Sequence, residues 1–341
     1  MIIVINAGSS SIKFKLFQAD TLEMMHQGLI EEIHDHHEGF KRLHQHLLDQ
    51  KIDFKRIKAF GHRVVHGGEF FNAPTLIDND VIEKIRALIP LAPLHNAANL
   101  EGIYAAYKLA SNVKHIAVFD TAFHQSMPEY SYRYALPNEL YTSLHVRRYG
   151  FHGTSHHYVA SEASKILHQP LETLNLITLH IGNGVSACAI EQGKSIDTSM
   201  GMTPLEGLMM GTRSGSIDPA IVAYLMREGD YSIDDVDTIL NQKSGLLGIG
   251  GASDMRTLLQ SDTQEAALAI KMFTYRLKKQ IGAYMAVLGH VDALVFTGGI
   301  GEHSKEIRDL TCKGLERFNL KSLVIATDEE LQIALHVKQM I

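Results

Sequence analysis

Cysteine is scarce in this 341-residue chain, with Cys188 and Cys312 the two present. They stand in unrelated contexts and form no CxxC pair, which argues against a disulfide framework or a zinc site and suits a reducing compartment. Long apolar runs are missing too. The stretch Ile281 to Val291 is too short to cross a bilayer, which takes roughly 20 residues. No basic segment precedes the apolar run Met1 to Asn6, and a Gly/Ser turn follows it, so the start reads as a strand rather than a signal peptide. Positive charge is in deficit: 32 Lys and Arg against 38 Asp and Glu give a formal net charge of −6. Such a balance holds no general attraction for nucleic acid or an anionic membrane, and an anionic substrate then needs a local cationic pocket. The expectation is a cytoplasmic protein with no nucleic-acid or membrane partner.

What is present is the composition of an ordinary globular protein, 45% hydrophobic and 21% charged, which argues against disorder as the dominant state. The length exceeds what one core usually serves, so two domains are expected. A strand–turn–strand unit occurs twice. Ile2 to Ile5 runs into Asn6-Ala7-Gly8-Ser9-Ser10, and Ile12 to Phe17 then alternates with the period of a half-buried strand. Leu174 to Ile181 runs into Gly182-Asn183-Gly184 and continues as Val185 to Ile190. On spacing alone these are either ordinary hairpins or turns whose backbone N–H groups cradle phosphate. Their place near the start of each half favours a duplicated domain with a cleft between the copies.

A third apolar strand, Ala293 to Phe296, leads into Thr297-Gly-Gly-Ile-Gly301, read as a flexible glycine-rich turn without dinucleotide-fingerprint spacing. Helices are expected from Asp218-Pro219 to Gly229, after a Ser232/Asp235 capping box, over about Glu265 to Leu288, and after a Thr327/Glu330 capping box. Strands alternating with helices indicate an α/β fold. The segment from Ile33 through His46 carries five histidines. It shows no strict ligand spacing, so an exposed polar helix–loop region is the expectation rather than a metal site.

Two arginines stand in glycine-rich, otherwise uncharged surroundings: Arg63 in Gly61-His-Arg-Val-Val-His-Gly-Gly68 and Arg213 in Met210-Gly-Thr-Arg-Ser-Gly215. Flanking glycines let the backbone pass close to a ligand and let a guanidinium enter a cleft; the alternative for each is a structural ion pair. Asp120 ends the apolar run His115 to Phe119, at the strand end where α/β folds place ligands. His152 precedes a helix expected to be capped by Thr154 or Ser155. It is either a satisfied structural histidine or a group that stabilises charge at a helix N-terminus.

The strings Asn6-Ala-Gly-Ser-Ser-Ser-Ile-Lys13, Gly61 to Gly68, Leu91-Ala-Pro-Leu-His-Asn96 and Phe119-Asp-Thr-Ala-Phe-His-Gln125 resemble the acetate kinase family. So do Arg148-Tyr-Gly-Phe-His-Gly-Thr-Ser155, His180-Ile-Gly-Asn-Gly184, Met210 to Gly215 and Gly298-Gly-Ile-Gly-Glu302, all in the family's order. The resemblance implies two RNase H-like domains of the actin and sugar-kinase type flanking a nucleotide cleft. Their bounds would be 1–121 with the C-terminal helix 331–341, and 122–330. It implies reversible transfer of a phosphoryl group from ATP to acetate, giving acetyl phosphate and ADP directly and in line, in a homodimer. Propionate kinase activity with the same machinery is the near alternative, and a catalytically impaired nucleotide-binding protein a more distant one.

By the same resemblance, Asn6 and Glu329 would bind Mg²⁺, or Mn²⁺ in its place, and Lys13 would contact the ATP phosphates. Arg63 would hold the acyl substrate in a pocket lined by Val65, Leu94, Phe151 and Pro204. Asp120 takes the place of the active-site acid/base, and His152 and Arg213 would stabilise the transition state. Nucleotide would be held by His180, Ile181, Gly182, Asn183 and Gly184, by Asp254, Met255 and Arg256, and by Gly299, Ile300, Gly301, Glu302 and His303. A carboxylate substrate is already ionised at neutral pH, with a reference pKa near 4, so orientation of an arginine or a metal-bound water suits Asp120 better than proton abstraction. Glu330, at the N3 spacing of its capping box, would leave Glu329 free for metal. The small apolar pocket separates acetate from propionate only weakly, one methylene being worth about 1–3 kcal/mol.

Departures from the family pattern are Ser216 in place of an acidic residue, His303 in place of asparagine, Ala97 in place of proline and a shorter Gly250 to Arg256 loop. The region around Ile30 to Lys51 and the link from Phe318 to Ser322 are also abbreviated.

Overall fold

The structure, a computed structural model, describes residues 1–8, 10–33 and 35–341, all with their side chains except Leu94. Ser9 of the first turn and His34 of the histidine-rich segment lie outside the described residues. The chain forms two compact units. Unit 1 comprises Met1–Gln125, Gly153–Tyr158 and Asp328–Ile341; unit 2 comprises Ser126–His152 and Val159–Thr327.

Unit 1 is built on strands β1 (Ile2–Ala7), β2 (Ile12–Phe17), β3 (Met24–Ile30), β4 (Ala59–Val64), β5 (Thr75–Leu76) and β6 (Lys114–Phe119), in the order β3-β2-β1-β4-β6-β5. The first three form an antiparallel meander, and β4 and β6 then run parallel to β1. β1 is apolar from Ile2 to Ile5 because both of its faces are covered there, and Asn6 is the polar exception near its end. Ile3 and Ile5 pack with Phe14, Leu16, Phe40, Leu43 and Ala106, the last three from the helices His36–Asp49 and Pro93–Leu109. Ile2 and Val4 pack on the opposite face with Ile333, Ala334 and Val337 of the C-terminal helix Glu329–Lys338. Gly61 on β4 makes that approach possible: a Cβ there would lie 2.8 Å from both Ile333 Cγ2 and Val337 Cγ2.

Unit 2 carries β7 (Asn175–Ile181), β8 (Val185–Glu191), β9 (Lys194–Thr198), β10 (Ala293–Thr297) and β11 (Ser322–Val324), in the order β11-β10-β7-β8-β9. Again the first three are an antiparallel meander, and the later two run parallel to the first. Each sheet therefore reads third, second, first, then two parallel strands, the RNase H-like order expected of both halves, and unit 1 adds β5 at the edge, antiparallel to β6. The helix Gln264–Leu288 packs on β7 and β8 through Phe273, Leu277, Ile281 and Tyr284 and is closed by Gly289.

Three local expectations need correction. The glycine-rich segment after β10 is not a turn but a short helix, Gly298–His303. Glycine is a poor helix former, yet Glu302 Oε1 accepts from Gly298 N–H at 2.9 Å and Thr327 N–H at 3.1 Å and pins the segment. The last helix is capped by Asp328, whose side chain accepts from Leu331 N–H, so Thr327 is not the cap and Glu330 is not at the third helical position. Neither Thr154 nor Ser155 caps the helix Gly153–Leu167; His152 occupies that position with φ +57°. The Ser232/Asp235 capping box is present, with both reciprocal bonds made.

Candidate active site

In unit 1 the sheet topology brings the C-terminal ends of β4 and β6 side by side, and with them Arg63 and Asp120. Arg63 Nε donates to Asp120 Oδ1 and Oδ2 at 3.1 Å, and Nη2 donates to Oδ2 at 2.6 Å. Asp120 is 1% exposed. Its Oδ1 also accepts from Thr154 Oγ1 at 3.2 Å, and its backbone carbonyl accepts from Gly153 N–H at 2.9 Å. Glu329 Oε2 lies 3.8 Å from Arg63 Nη2. Burial disfavours the charged guanidinium of Arg63, but Asp120 and Glu329 outweigh it and raise its pKa. Burial, with the charges of Asp120 and Glu330 adding to it, pushes the Glu329 carboxyl up despite Arg63.

Lys13 sits opposite Asn6 across the β1–β2 hairpin. Its Nζ is 2.7 Å from Glu330 Oε1, while Lys15 Nζ bonds Asp328 Oδ1 at 2.8 Å and lies 3.3 Å from Glu330 Oε2. Glu330 is thus committed to two lysines rather than to its own helix, and Glu329 faces the arginine. Val65 is half-buried and its N–H donates to Asn99 Oδ1 at 3.0 Å, while Asn99 Nδ2 reaches Ala7 O at 2.8 Å. Asn96, one helical turn earlier, brackets His66 in the same way. The Asn99 clamp ties the end of β1 to the residue after β4, and the Asn96 clamp fixes the backbone of His66 just beyond. Sequence reading overlooked Asn99; its signal was the three-residue spacing from Asn96, which puts both amides on one helix face. The side chain of Leu94 lies outside the described residues.

In unit 2, His152 Nδ1 and Ser186 Oγ are 2.9 Å apart, and the His152 ring stacks on His180 at 4.2 Å. Arg213 Nη1 donates to Pro204 O at 2.6 Å. Among the described residues no carboxylate pairs with Arg213, and burial lowers its pKa. Gly184 brings the two together: a Cβ there would lie 3.2 Å from Arg213 Nη2 and 3.3 Å from His152 Cε1. Gly211 admits Asn183 in the same manner, its missing Cβ standing 2.1 Å from Asn183 Oδ1. Phe151 is buried and Pro204 half-buried.

A cavity of about 760 Å³ opens beside this group, within the usual range for small-molecule sites. Its wall joins three segments far apart in sequence: Gly182 and Asn183, Ser253 to Arg256 with Leu259, and Gly299, Ile300, His303 and Ser304. Asp254 caps the helix Met255–Leu259 and bonds Arg256 Nη2 at 2.6 Å; that hydrogen bond holds its carboxyl down to about 2. Glu302 faces the backbone amides named above rather than the cavity. Ser253, Leu259 and Ser304 were not singled out in sequence, because only the fold brings them to the wall.

A profile of the acetokinase family matches residues 1–35 and 30–338 of the chain. An acetate kinase from Sulfurovum sp. (strain NBC37-1) is 54% identical over 342 residues, covering 92% of this chain and 86% of that protein. One from Campylobacter concisus (strain 13826) is 45% identical over 391 residues, covering 100% and 98%. Among solved structures, an acetate kinase from Porphyromonas gingivalis superposes with a TM-score of 0.94 at 39% identity, covering 99% of both chains. A propionate kinase from Francisella tularensis subsp. tularensis SCHU S4 superposes with the same TM-score at 42% identity, covering 98% of both.

Proposed function

The chain belongs to the acetokinase family, and from that membership we propose that it transfers a phosphoryl group reversibly between ATP and acetate, giving acetyl phosphate and ADP. The observation that carries the proposal is Arg213. A guanidinium that burial disfavours, bonded to a carbonyl and to no carboxylate among the described residues, suits a ligand that brings its own negative charge. It stands beside His152 and a glycine-lined cavity of nucleotide size.

The roles follow from the chemistry. Acetate is ionised at neutral pH and needs no base to attack phosphorus. Asp120 engages one edge of Arg63, through Nε and Nη2. Of the five N–H donors of a guanidinium, three stay available for the substrate carboxylate. Asp120 in this reading aims Arg63, and Thr154 aims Asp120. Val65, Leu94, Phe151 and Pro204 would meet the methyl group. Arg213 and His152 would stabilise the charge on the transferring phosphoryl group, where positioned cations do most of the catalysis. Lys13 would contact the ATP phosphates. The Gly182–Asn183, Asp254–Arg256 and Gly299–His303 segments would hold the nucleotide.

Mg²⁺, or Mn²⁺ in its place, suits Asn6 and Glu329: an amide and a carboxylate are hard oxygen donors. The Glu329 carboxyl is pushed up by burial and by Asp120 and Glu330, a repulsion that a divalent cation offsets. When bound, the ion would neutralise phosphate charge. A homodimer and a cytoplasmic location belong to the same proposal.

The test is an acyl-phosphate assay on purified protein with MgATP and acetate, propionate or butyrate. Acetate is expected to give the highest kcat/KM. No acyl phosphate from any acid overturns the proposal, and a preference for propionate overturns the choice of acetate alone.

A further inference from the structure

Arg213 is held by the carbonyl of Pro204, and Pro204 lies in a stretch, Gly201 to Gly207, with neither helix nor strand to stiffen it. One carboxylate supplies that stiffness. Glu206 Oε1 accepts from Arg148 Nη2 at 2.7 Å, and Oε2 accepts from the Tyr134 hydroxyl. The Tyr134 oxygen accepts in turn from Met202 N–H at 2.9 Å. Arg148 Nη1 donates to the carbonyls of Thr198, Ser199 and Met200 at 2.9, 3.1 and 3.2 Å. The fold closes so tightly that a Cβ on Gly201 would stand 1.7 Å from Glu206 Oε2.

The same carboxylate reaches the other candidate transition-state residue. Arg148 precedes His152 by four residues, and the intervening Tyr149 and Gly150 donate their N–H groups to Gly201 O at 3.1 and 3.2 Å. Burial disfavours a charged Arg148, and the acidic groups around it, Glu206 foremost with Tyr134, Tyr284 and Asp197, together outweigh it and raise its pKa. Burial, then the Glu206 charge, pushes the Tyr134 hydroxyl up, so it stays a donor. Glu206 therefore ties the chain leading to His152 to the loop that holds Arg213.

We propose that Glu206 is a positioning residue for phosphoryl transfer, setting His152 and Arg213 through Arg148 and the Pro204 loop. The inference rests on the acyl-kinase reading above. The nucleotide cavity is lined by other segments, so nucleotide binding should not depend on Glu206.

Glu206→Gln keeps the shape and removes the charge that Arg148 requires. It is expected to lower kcat roughly ten- to a hundred-fold, the scale of a misplaced catalytic group. MgADP affinity, measured by calorimetric titration, should stay within about twofold. Tyr134→Phe, which removes one of the two bonds, should give a smaller fall, and Glu206→Asp, which keeps the charge, should recover part of it. Turnover by the unsubstituted protein with kcat unaltered in Glu206→Gln overturns this inference alone. So does a loss that follows the folded fraction, with normal kcat per folded molecule. Absence of turnover in the unsubstituted protein overturns the acyl-kinase reading and this inference with it.

Discussion

At the scale of single residues, the chain treats two guanidinium groups in opposite ways. Arg63 is locked edge-on to a buried aspartate, whereas Arg213 is steadied by a backbone carbonyl and, among the described residues, has no carboxylate to compensate its charge. Their losses should therefore differ in kind. Arg213→Ala is expected to cost kcat, roughly a hundred- to a thousand-fold, with little loss of stability, because no buried charge loses its partner. Arg63→Ala should raise KM for acetate and also destabilise by about 3–5 kcal/mol, since Asp120 would stay buried without its cation. Steady-state kinetics and urea unfolding of both variants check this, and equal, small effects would contradict it. Both arginines were legible because glycine surrounds them. Thr154 was not: local rules make it a helix cap, and only the placement of Gly153 against Asp120 turns its hydroxyl toward that carboxylate. Glu206 was invisible for a similar reason, its partners lying 58 and 72 residues away.

At the scale of elements, the C-terminal helix is the piece on which unit 1 depends. It covers one face of β1 and β4, and its first turn presents Glu329 to Arg63. Gly61→Ala would drive a methyl group into Ile333 and Val337, an overpacking expected to cost about 1–3 kcal/mol. Asp328→Ala removes the cap and the partner of Lys15, and should cost about 1 kcal/mol or more. Urea midpoints of the two variants measure both. The strands were readable from apolar runs and alternation, which report burial on two faces or one. Helix starts were less so. Asp328 and Thr327 are both good caps by type, and Glu330 offers the right spacing to Thr327; the two lysines on β2 draw Glu330 away and leave the cap to Asp328. The helix at Gly298 departs from the turn expected because the Glu302 side chain bonds the amides of Gly298 and Thr327, a tertiary tie that the poor helix propensity of its glycines does not reveal.

At the scale of the whole molecule, the duplicated strand order explains why two similar turns appear 170-odd residues apart in this 341-residue sequence: each follows the first strand of its own sheet. The units are not duplicates in their titrating groups, however. His62, His115, His157 and His336 all belong to unit 1 and are all held below the ordinary histidine pKa, chiefly by burial; His336 is pushed down to about 4. The unfolded chain binds protons on these groups near pH 6.5, the folded unit only at lower pH. Stability is therefore full above pH 6.5 and falls as the pH drops from there, in the case of His336 toward about 4, each histidine contributing about 1.4 kcal/mol per pH unit for as long as only its unfolded form is protonated. Glu329 works the other way, since its raised carboxyl pKa favours the folded state as it takes up a proton, but it is one group against these four histidines and His26, which burial also lowers. Urea unfolding at pH 7.5 and at pH 5 should show the unit 1 transition moving to lower urea in acid. His336→Gln should flatten that dependence by about one histidine's share. A unit 1 midpoint indifferent to pH between 7.5 and 5 would show that these rings are already protonated in the folded state.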